Sequence, residues 1–362
     1  MTNREKEILE LISKNPMISQ KEIAEELEIS RSAVAVHITN LMKKGYILGR
    51  GYIVKDSPYI TIVGGTNVDI MGLPYEKLRM KDSNPGKVTI SLGGVGRNIG
   101  ENLSRLKVDT RLITVLGNDI YGKLMIEQGM KTGLDMSESL ILQDKKTSTY
   151  IAILDETGDM NLAISSMDIF EEMNISFIQQ KKELIENSTL CIVDTNIPKE
   201  VLKHMVSNFN VNFFLDTVST TKAEKVKDII GHFHTIKPNK LEAEILSGMK
   251  IVNKRDLRKV ASYFIDMGTK RVFITLGDEG VYYLGEQEEV YMKVPKISIV
   301  NATGAGDAFM AGLAYSYFNG LDIENTLKIS IGASIITLEN ENTINPNISV
   351  ENIEKRIEEL KL

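Results

Sequence analysis

The stretch Asn301-Ala-Thr-Gly-Ala-Gly-Asp-Ala-Phe-Met310 decides how this chain is read. Gly304, Ala305 and Gly306 carry almost no side chain, so the backbone can turn tightly into a helix and leave its first N–H groups uncovered. Such a terminus attracts anions, because unpaired donors and the helix dipole act together. Asp307 falls in that first turn, where a carboxylate serves either as a cap or as a positioned base. The neighbouring N–H groups are expected to favour its ionised form.

Working outward from this segment, short apolar runs at 59–63, 111–115, 190–193, 212–215, 235–236 and 271–275 alternate with helical patterns. Strands interleaved with helices predict an α/β fold whose parallel sheet is covered on both faces. The segments 87–91, 147–154 and 161–164 instead alternate apolar with polar residues, and Glu156-Thr-Gly-Asp159 supplies a turn. They predict a small, mostly antiparallel flap projecting from the main sheet.

Ahead of this lies a different segment. Ile8, Leu11 and Ile12 recur at helical spacing, and Asn15-Pro16 ends the helix. Ser19 and Glu22 form a capping box for a second helix, and a third runs from Arg31 or Ser32 to Lys44, stopped by Gly45. Residues 46–54 alternate like a hairpin, with Gly49 and Gly51 around Arg50. The net charge is −6, yet residues 29–55 hold five Lys/Arg and no acid. Asp56-Ser57-Pro58 marks the change of pattern, giving units 1–56 and 57–362.

No apolar run approaches the roughly 20 residues that cross a bilayer. The charged N-terminus Met1–Glu10 is unlike a targeting peptide, and the lone Cys191 excludes an internal disulfide framework. A cytoplasmic protein without membrane contact is expected. The four scattered histidines propose no metal cluster.

Three helices plus a hairpin resemble a winged helix-turn-helix. That resemblance implies that the third helix enters the major groove and the wing touches the backbone, with Arg31, Ser32, His37, Thr39, Lys43 and Arg50 as exposed candidates. A protein-interaction face is the alternative reading. One copy reads only a half-site, so DNA binding implies a homodimer.

In the large unit, Thr303-Gly-Ala-Gly-Asp307 resembles the second signature of the ribokinase/PfkB family, and Gly93-Gly-Val-Gly-Arg-Asn98 its first. Gly65-Thr-Asn-Val-Asp69, Lys237-Pro-Asn-Lys-Leu-Glu242 and Thr275-Leu-Gly-Asp-Glu-Gly280 resemble further family motifs, all in the family's order. The resemblance implies a ribokinase-like sheet sandwich that transfers phosphoryl from ATP to a sugar hydroxyl. Asp307 would be the base, and Gly304, Ala305 and Gly306 the anion hole. Asn67, Asp69, Gly93, Gly94, Asn98 and Asn196 would meet the substrate, and Asn239, Thr275, Gly277 and Gly280 the ATP phosphates. Glu242 would help hold hydrated Mg²⁺.

Two departures stand out. Asn301 replaces the Asp found in potassium-activated members, which weakens the case for a monovalent cation. Val95 and Arg97 replace Lys and Ala in the first signature, altering the pocket or its lining. Asp82-Ser-Asn-Pro-Gly-Lys87, Leu241-Glu-Ala-Glu244 and Asn342-Thr-Ile-Asn-Pro-Asn347 resemble the pseudouridine kinase branch. That branch implies a nucleoside substrate, with Asn84 and Lys87 ordering the closed site or meeting the base. Another nucleoside, a free sugar such as ribose or fructose, or a regulator using the fold as a ligand sensor are the alternatives.

Overall fold

The structure is a computed structural model that describes residues 1–48 and 57–362. Two compact units divide the chain, Met1–Pro58 and Tyr59–Leu362.

The first unit packs three helices, Asn3–Lys14, Gln20–Glu26 and Arg31–Lys43. Both capping boxes, Thr2 with Glu5 and Ser19 with Glu22, are closed in both directions. Ser30 caps the third helix through the Ala33 N–H at 3.1 Å, and Gly45 ends it at φ +75°. Ile8, Ile12, Ile23, Val34, Ile38, Leu41 and Ile47 form its core. Arg50 and the rest of the hairpin tip lie outside the described residues.

In the second unit a nine-stranded sheet is built around short, largely apolar runs. Its spatial order is Leu134–Asp135, Thr110–Ile113, Ile60–Val63, Leu190–Asp194, Phe213–Asp216, Thr235–Lys237, Arg271–Thr275, then Val281–Gly285 and Glu289–Met292. The first seven pair in parallel and the last two are antiparallel. Alternate residues feed two separate cores. Val63, Val193, Leu215 and Ile274 enter one, and Ile62, Ile192, Phe214 and Phe273 the other. Covering both faces explains why these strands lack polar alternation.

The expected strand at 111–115 ends early. Thr114 turns away from the sheet, its carbonyl accepting from the Leu140 N–H at 2.8 Å. Val115–Gly117 then pairs with Leu140–Leu142 in a separate ribbon. The flap is a four-stranded sheet ordered Gly86–Gly93, Asn67–Pro74, Thr149–Leu154, Met160–Ser166. Its central pair is parallel and the outer pairs are antiparallel.

Candidate active site

The strands Ile60–Val63 and Leu190–Asp194 are neighbours, and the chain builds the sheet away from them in both directions. Ligands of open α/β sheets bind at the carboxyl ends of strands flanking such a switch point. Gly64 and Gly65 lie there, beside Asp194 and the helix Val95–Arg105. The approach is backbone to backbone: a Cβ on Gly64 would lie 2.8 Å from Gly96 Cα, and one on Gly94 (φ +97°) 2.4 Å from Thr66 Cα. Buried Asp194 fixes this turn, accepting from the Gly65 and Asn196 N–H groups at 2.7 and 2.8 Å.

On the flap side, Asn67 donates to Asp69 Oδ1 at 2.5 Å. The other Asp69 oxygen lies over Gly93, where a Cβ would come within 2.1 Å of it. Burial raises the Asp69 pKa against the opposing effects of the Asn67 hydrogen bond and the Arg97 charge. Asn196 packs on Gly65 and accepts from Lys222 Nζ at 2.5 Å.

The helix Ala305–Phe318 begins at Gly304, whose φ of +85° no β-carbon residue adopts readily, and no side chain caps it. Asn98 reaches across and donates to Asp307 Oδ2 at 2.8 Å. The expectation that the helix terminus keeps Asp307 readily ionised needs correction. Burial raises its pKa, the nearby Asp216 and Asp194 charges add to that, and together they push it up to about 7 against Asn98 and Lys237. Desolvation and like charge outweigh the dipole here. Asn98, expected at the substrate hydroxyls, turns its amide N–H to Asp307.

Lys237 and Asp216 form a buried ion pair at 2.9 Å, and Lys237 Nζ also donates to the Gly306 carbonyl at 3.2 Å. Burial works against the ammonium, but Asp216, Asp307 and Glu242 more than offset it and raise its pKa. Lys237 opens a motif legible in the sequence but carries no role there, and the two strand-end aspartates do not stand out. The available signal is an apolar run closed by Asp, twice, at Val193-Asp194 and Leu215-Asp216.

Beyond the helix terminus a cavity of about 660 Å³ lies between the turn Thr275–Gly280 and the residues Ala305, Gly306 and Phe309. Asn239, Thr275, Gly277 and Gly280 line one side, and Val281, Ile297 and Leu338 give it an apolar wall. Its size and its few polar groups suit a nucleotide. Gly280, at φ +115°, also closes a hairpin between Arg271–Thr275 and Val281–Gly285.

Asn239 and Glu242 cap the helix Lys240–Ser247 reciprocally, each backbone N–H donating to the other's side chain at 2.9 Å. Thr217 donates to the same Glu242 oxygen, Oε2, at 2.6 Å. No group of three or more His, Cys, Asp or Glu gathers around a cation position among the described residues. One buried carboxylate is a donor set that fits Mg²⁺, which prefers few protein carboxylates and keeps several waters, and Glu242 would help hold it. Asn301 is committed to its loop: Oδ1 accepts from Thr303 N–H at 2.9 Å and Nδ2 donates to the Glu341 carbonyl at 3.0 Å. Asn84 likewise closes its own loop on Arg79 and Asp82, and Lys87 is exposed.

In the N-terminal unit Arg31, Ser32, Thr39 and Lys43 are exposed on the third helix. His37 is not fully presented, since the ring is half-buried with Nδ1 turned inward and unpaired. The Thr39 hydroxyl is spent on the Ala35 carbonyl at 2.8 Å.

Comparison with known proteins gives the family of each unit. Residues 57–350 match the pfkB family of carbohydrate kinases, and residues 1–47 a winged helix-turn-helix DNA-binding family. An uncharacterised Escherichia coli sugar kinase, YeiI, is 36% identical over 97% of this chain and 98% of its own length. The pseudouridine kinase of the same organism is 37% identical over 84% of this chain and 98% of its own. A crystal structure from Clostridium perfringens, provisionally assigned as a sugar kinase, has 40% identity and a TM-score of 0.78, covering 84% of this chain and 96% of that one. This chain belongs to the pfkB family of carbohydrate kinases, ATP-dependent phosphotransferases that work with Mg²⁺, and it carries an N-terminal segment of winged helix-turn-helix type.

Proposed function

We propose that this protein transfers the γ-phosphoryl group of ATP to the 5′-hydroxyl of a nucleoside, with pseudouridine as the acceptor. The carrying observation is Asp307, a carboxylate with its pKa raised to about 7 at an uncapped helix terminus, between a nucleotide-sized cavity and the Asn67–Asp69 pair. A base with that proton affinity is matched to neutral pH. Pseudouridine is supported by the 37% identity, across nearly the whole unit, to a kinase bearing that name.

In this reading Asp69, oriented by Asn67, accepts from the sugar hydroxyls, and Gly93 and Gly94 let the ring approach the backbone. Asp307 takes the proton of the attacking hydroxyl as the new O–P bond forms and ADP leaves. The N–H groups from Gly304 to Asp307 meet the charge on the transferring phosphoryl. Asn239, Thr275, Gly277 and Gly280 hold the nucleotide side, and Mg²⁺, when bound through Glu242, neutralises phosphate charge. The flap excludes water from the sugar.

A second role, DNA binding by residues 1–56, is supported by the winged-helix match and by the exposed Arg31 and Lys43 on an acid-free helix. A homodimer serves a two-half-site target. Support for it comes from the flap, where Ile90, Ile70, Ile151 and Ile164 form one row across all four strands. Three of them are 36–58% exposed, an apolar stripe that a second flap would cover.

The test is ADP release over pseudouridine, common nucleosides, ribose and fructose, with Asp307→Asn beside the native protein. Fastest turnover on pseudouridine is expected. Turnover of none of them would favour the ligand-sensor alternative, and preference for a free sugar would correct the substrate. Retardation of the protein's own upstream DNA tests the second role.

A further inference from the structure

Arg97, expected to alter the pocket or its lining, has a side chain only 8% exposed, held against Leu92 and Glu101. Its Nη1 donates to the Leu92 carbonyl at 2.7 Å and to Asn98 Oδ1 at 3.3 Å, while Nη2 pairs with Glu101. Glu101 in turn accepts from Arg105 at 2.8 and 3.0 Å, and Arg105 donates to the Pro346 carbonyl at 2.8 Å. Leu92 is the penultimate residue of its flap strand, paired with Val68.

We propose that Arg97 is a positioning residue, holding the Asn98 amide as a donor to Asp307 and tying that contact to the root of the flap. The inference rests on the reading of Asp307 as the base. A guanidinium has donors only, so the Asn98 oxygen must face Arg97 and its NH₂ must face Asp307. Without that constraint the amide has an alternative. A protonated Asp307 can donate to the oxygen of a flipped Asn98, and near neutral pH this competes with the ionised arrangement. Arg97 removes the flipped state, because it would set the amide NH₂ against the guanidinium. The ionised base is therefore favoured.

A purely structural ion pair is the competing account, and it makes a different demand. Loss of Arg97 would then lower stability and leave the titration of Asp307 where it was. The other charged groups facing Asp307 are Asp194, Asp216 and Lys237, at the ends of three strands, and none is touched by the substitutions below.

The experiment is a ¹³C-carboxyl NMR titration of the full-length protein, with the Asp307 signal assigned by its loss in Asp307→Asn. In Arg97→Met the midpoint is expected to rise by about one pH unit, the scale of one hydrogen bond gained by the protonated form. Arg97→Lys should shift it in the same direction by less, and it decides the matter if the Met variant does not fold. Arg105→Gln, which cuts only the distal tether, should lower Tm without moving the midpoint. The acid limb of kcat/KM should follow the same displacement in Arg97→Met, with kcat down about tenfold. An unmoved midpoint in the Arg97 variants overturns the proposal. The titration needs no acceptor, so failure of the native protein to phosphorylate anything would sink the kinase reading and not this one.

Discussion

The Asn98 amide meets the Asp307 carboxylate at 2.8 Å, joining two residues 209 positions apart in the chain. One stands on the helix that leaves the flap and the other on the helix that opens the anion site, so the two signature segments make a single unit. Replacing Asp307 with Asn keeps the shape and removes the proton acceptor. A fall in kcat of about 10²- to 10⁴-fold is expected, the usual contribution of a general base. For the native protein kcat/KM should decline as pH is lowered through about 7, where Asp307 takes up its proton. Steady-state rates from pH 5.5 to 8.5 check both, and a flat profile would remove Asp307 from the role.

The same substitution should stabilise the fold, with a definite pH signature. Asp307 has its pKa raised from 3.8 to about 7, so the folded state disfavours its charged form. That penalty is absent below the unfolded value, grows as pH rises between the two, and is constant above the folded value. The neutral amide of the variant carries no such penalty. The Tm advantage of Asp307→Asn should therefore be smallest near pH 4 and largest above pH 7. Thermal melts across that range decide it, and an advantage confined to acid pH would contradict the assignment.

The sequence makes the anion loop legible because Gly304 to Asp307 are local: small residues and a first-turn carboxylate need no tertiary partner to be understood. The strands are legible for a similar reason, since burial on both faces leaves continuous apolar runs such as 190–193 and 271–275. What escapes is set by partners far away in the chain. Arg97 reads as a pocket residue until Glu101 and Leu92 are seen to take its donors. The contact of Asn98 with Asp307 is not legible locally, because the two come from opposite ends of the domain. The strand Asn67–Pro74 is hard to read locally because its start is polar, although Ile70, Met71 and Leu73 further along it are apolar. The raised proton affinity of Asp307 comes first from burial and then from the approach of Asp216 and Asp194, and neither can be read from the residues beside it in the chain.

Gly304 is the backbone position least tolerant of a side chain at the anion loop. Its φ is +85°, and an added Cβ would lie 2.1 Å from the Thr343 carbonyl oxygen, which is backbone and cannot rotate away. Gly304→Ala should cost at least about 1–2 kcal/mol from the left-handed conformation alone, with the clash adding to it. Because the first-turn N–H groups move with Gly304, kcat should fall as well. Gly133 has nearly the same φ, +83°, with nothing within 4 Å of its Cβ position, which makes Gly133→Ala the control. That control should lose stability and keep its kcat. Equal kcat in the two variants would mean that the loop's placement does not matter to transfer.

The winged-helix unit is testable through salt. Arg31 and Lys43 stand exposed near opposite ends of the third helix, with no acidic residue between them. If each neutralises one phosphate, binding releases counterions, and log K falls against log salt with a slope near −0.9 per contact. Arg31→Ala and Lys43→Ala should each weaken binding to every sequence alike and reduce the slope by about 1. Ser32→Ala should change preference among sequences more than the slope, since its exposed hydroxyl carries no charge. Ile90→Lys, on the flap row, supplies the link to assembly. If two copies close over that stripe, the variant should sediment as a monomer and lose affinity for a two-half-site probe more than for a single half-site. A monomeric native protein whose DNA affinity is untouched by Ile90→Lys would separate DNA binding from the flap altogether.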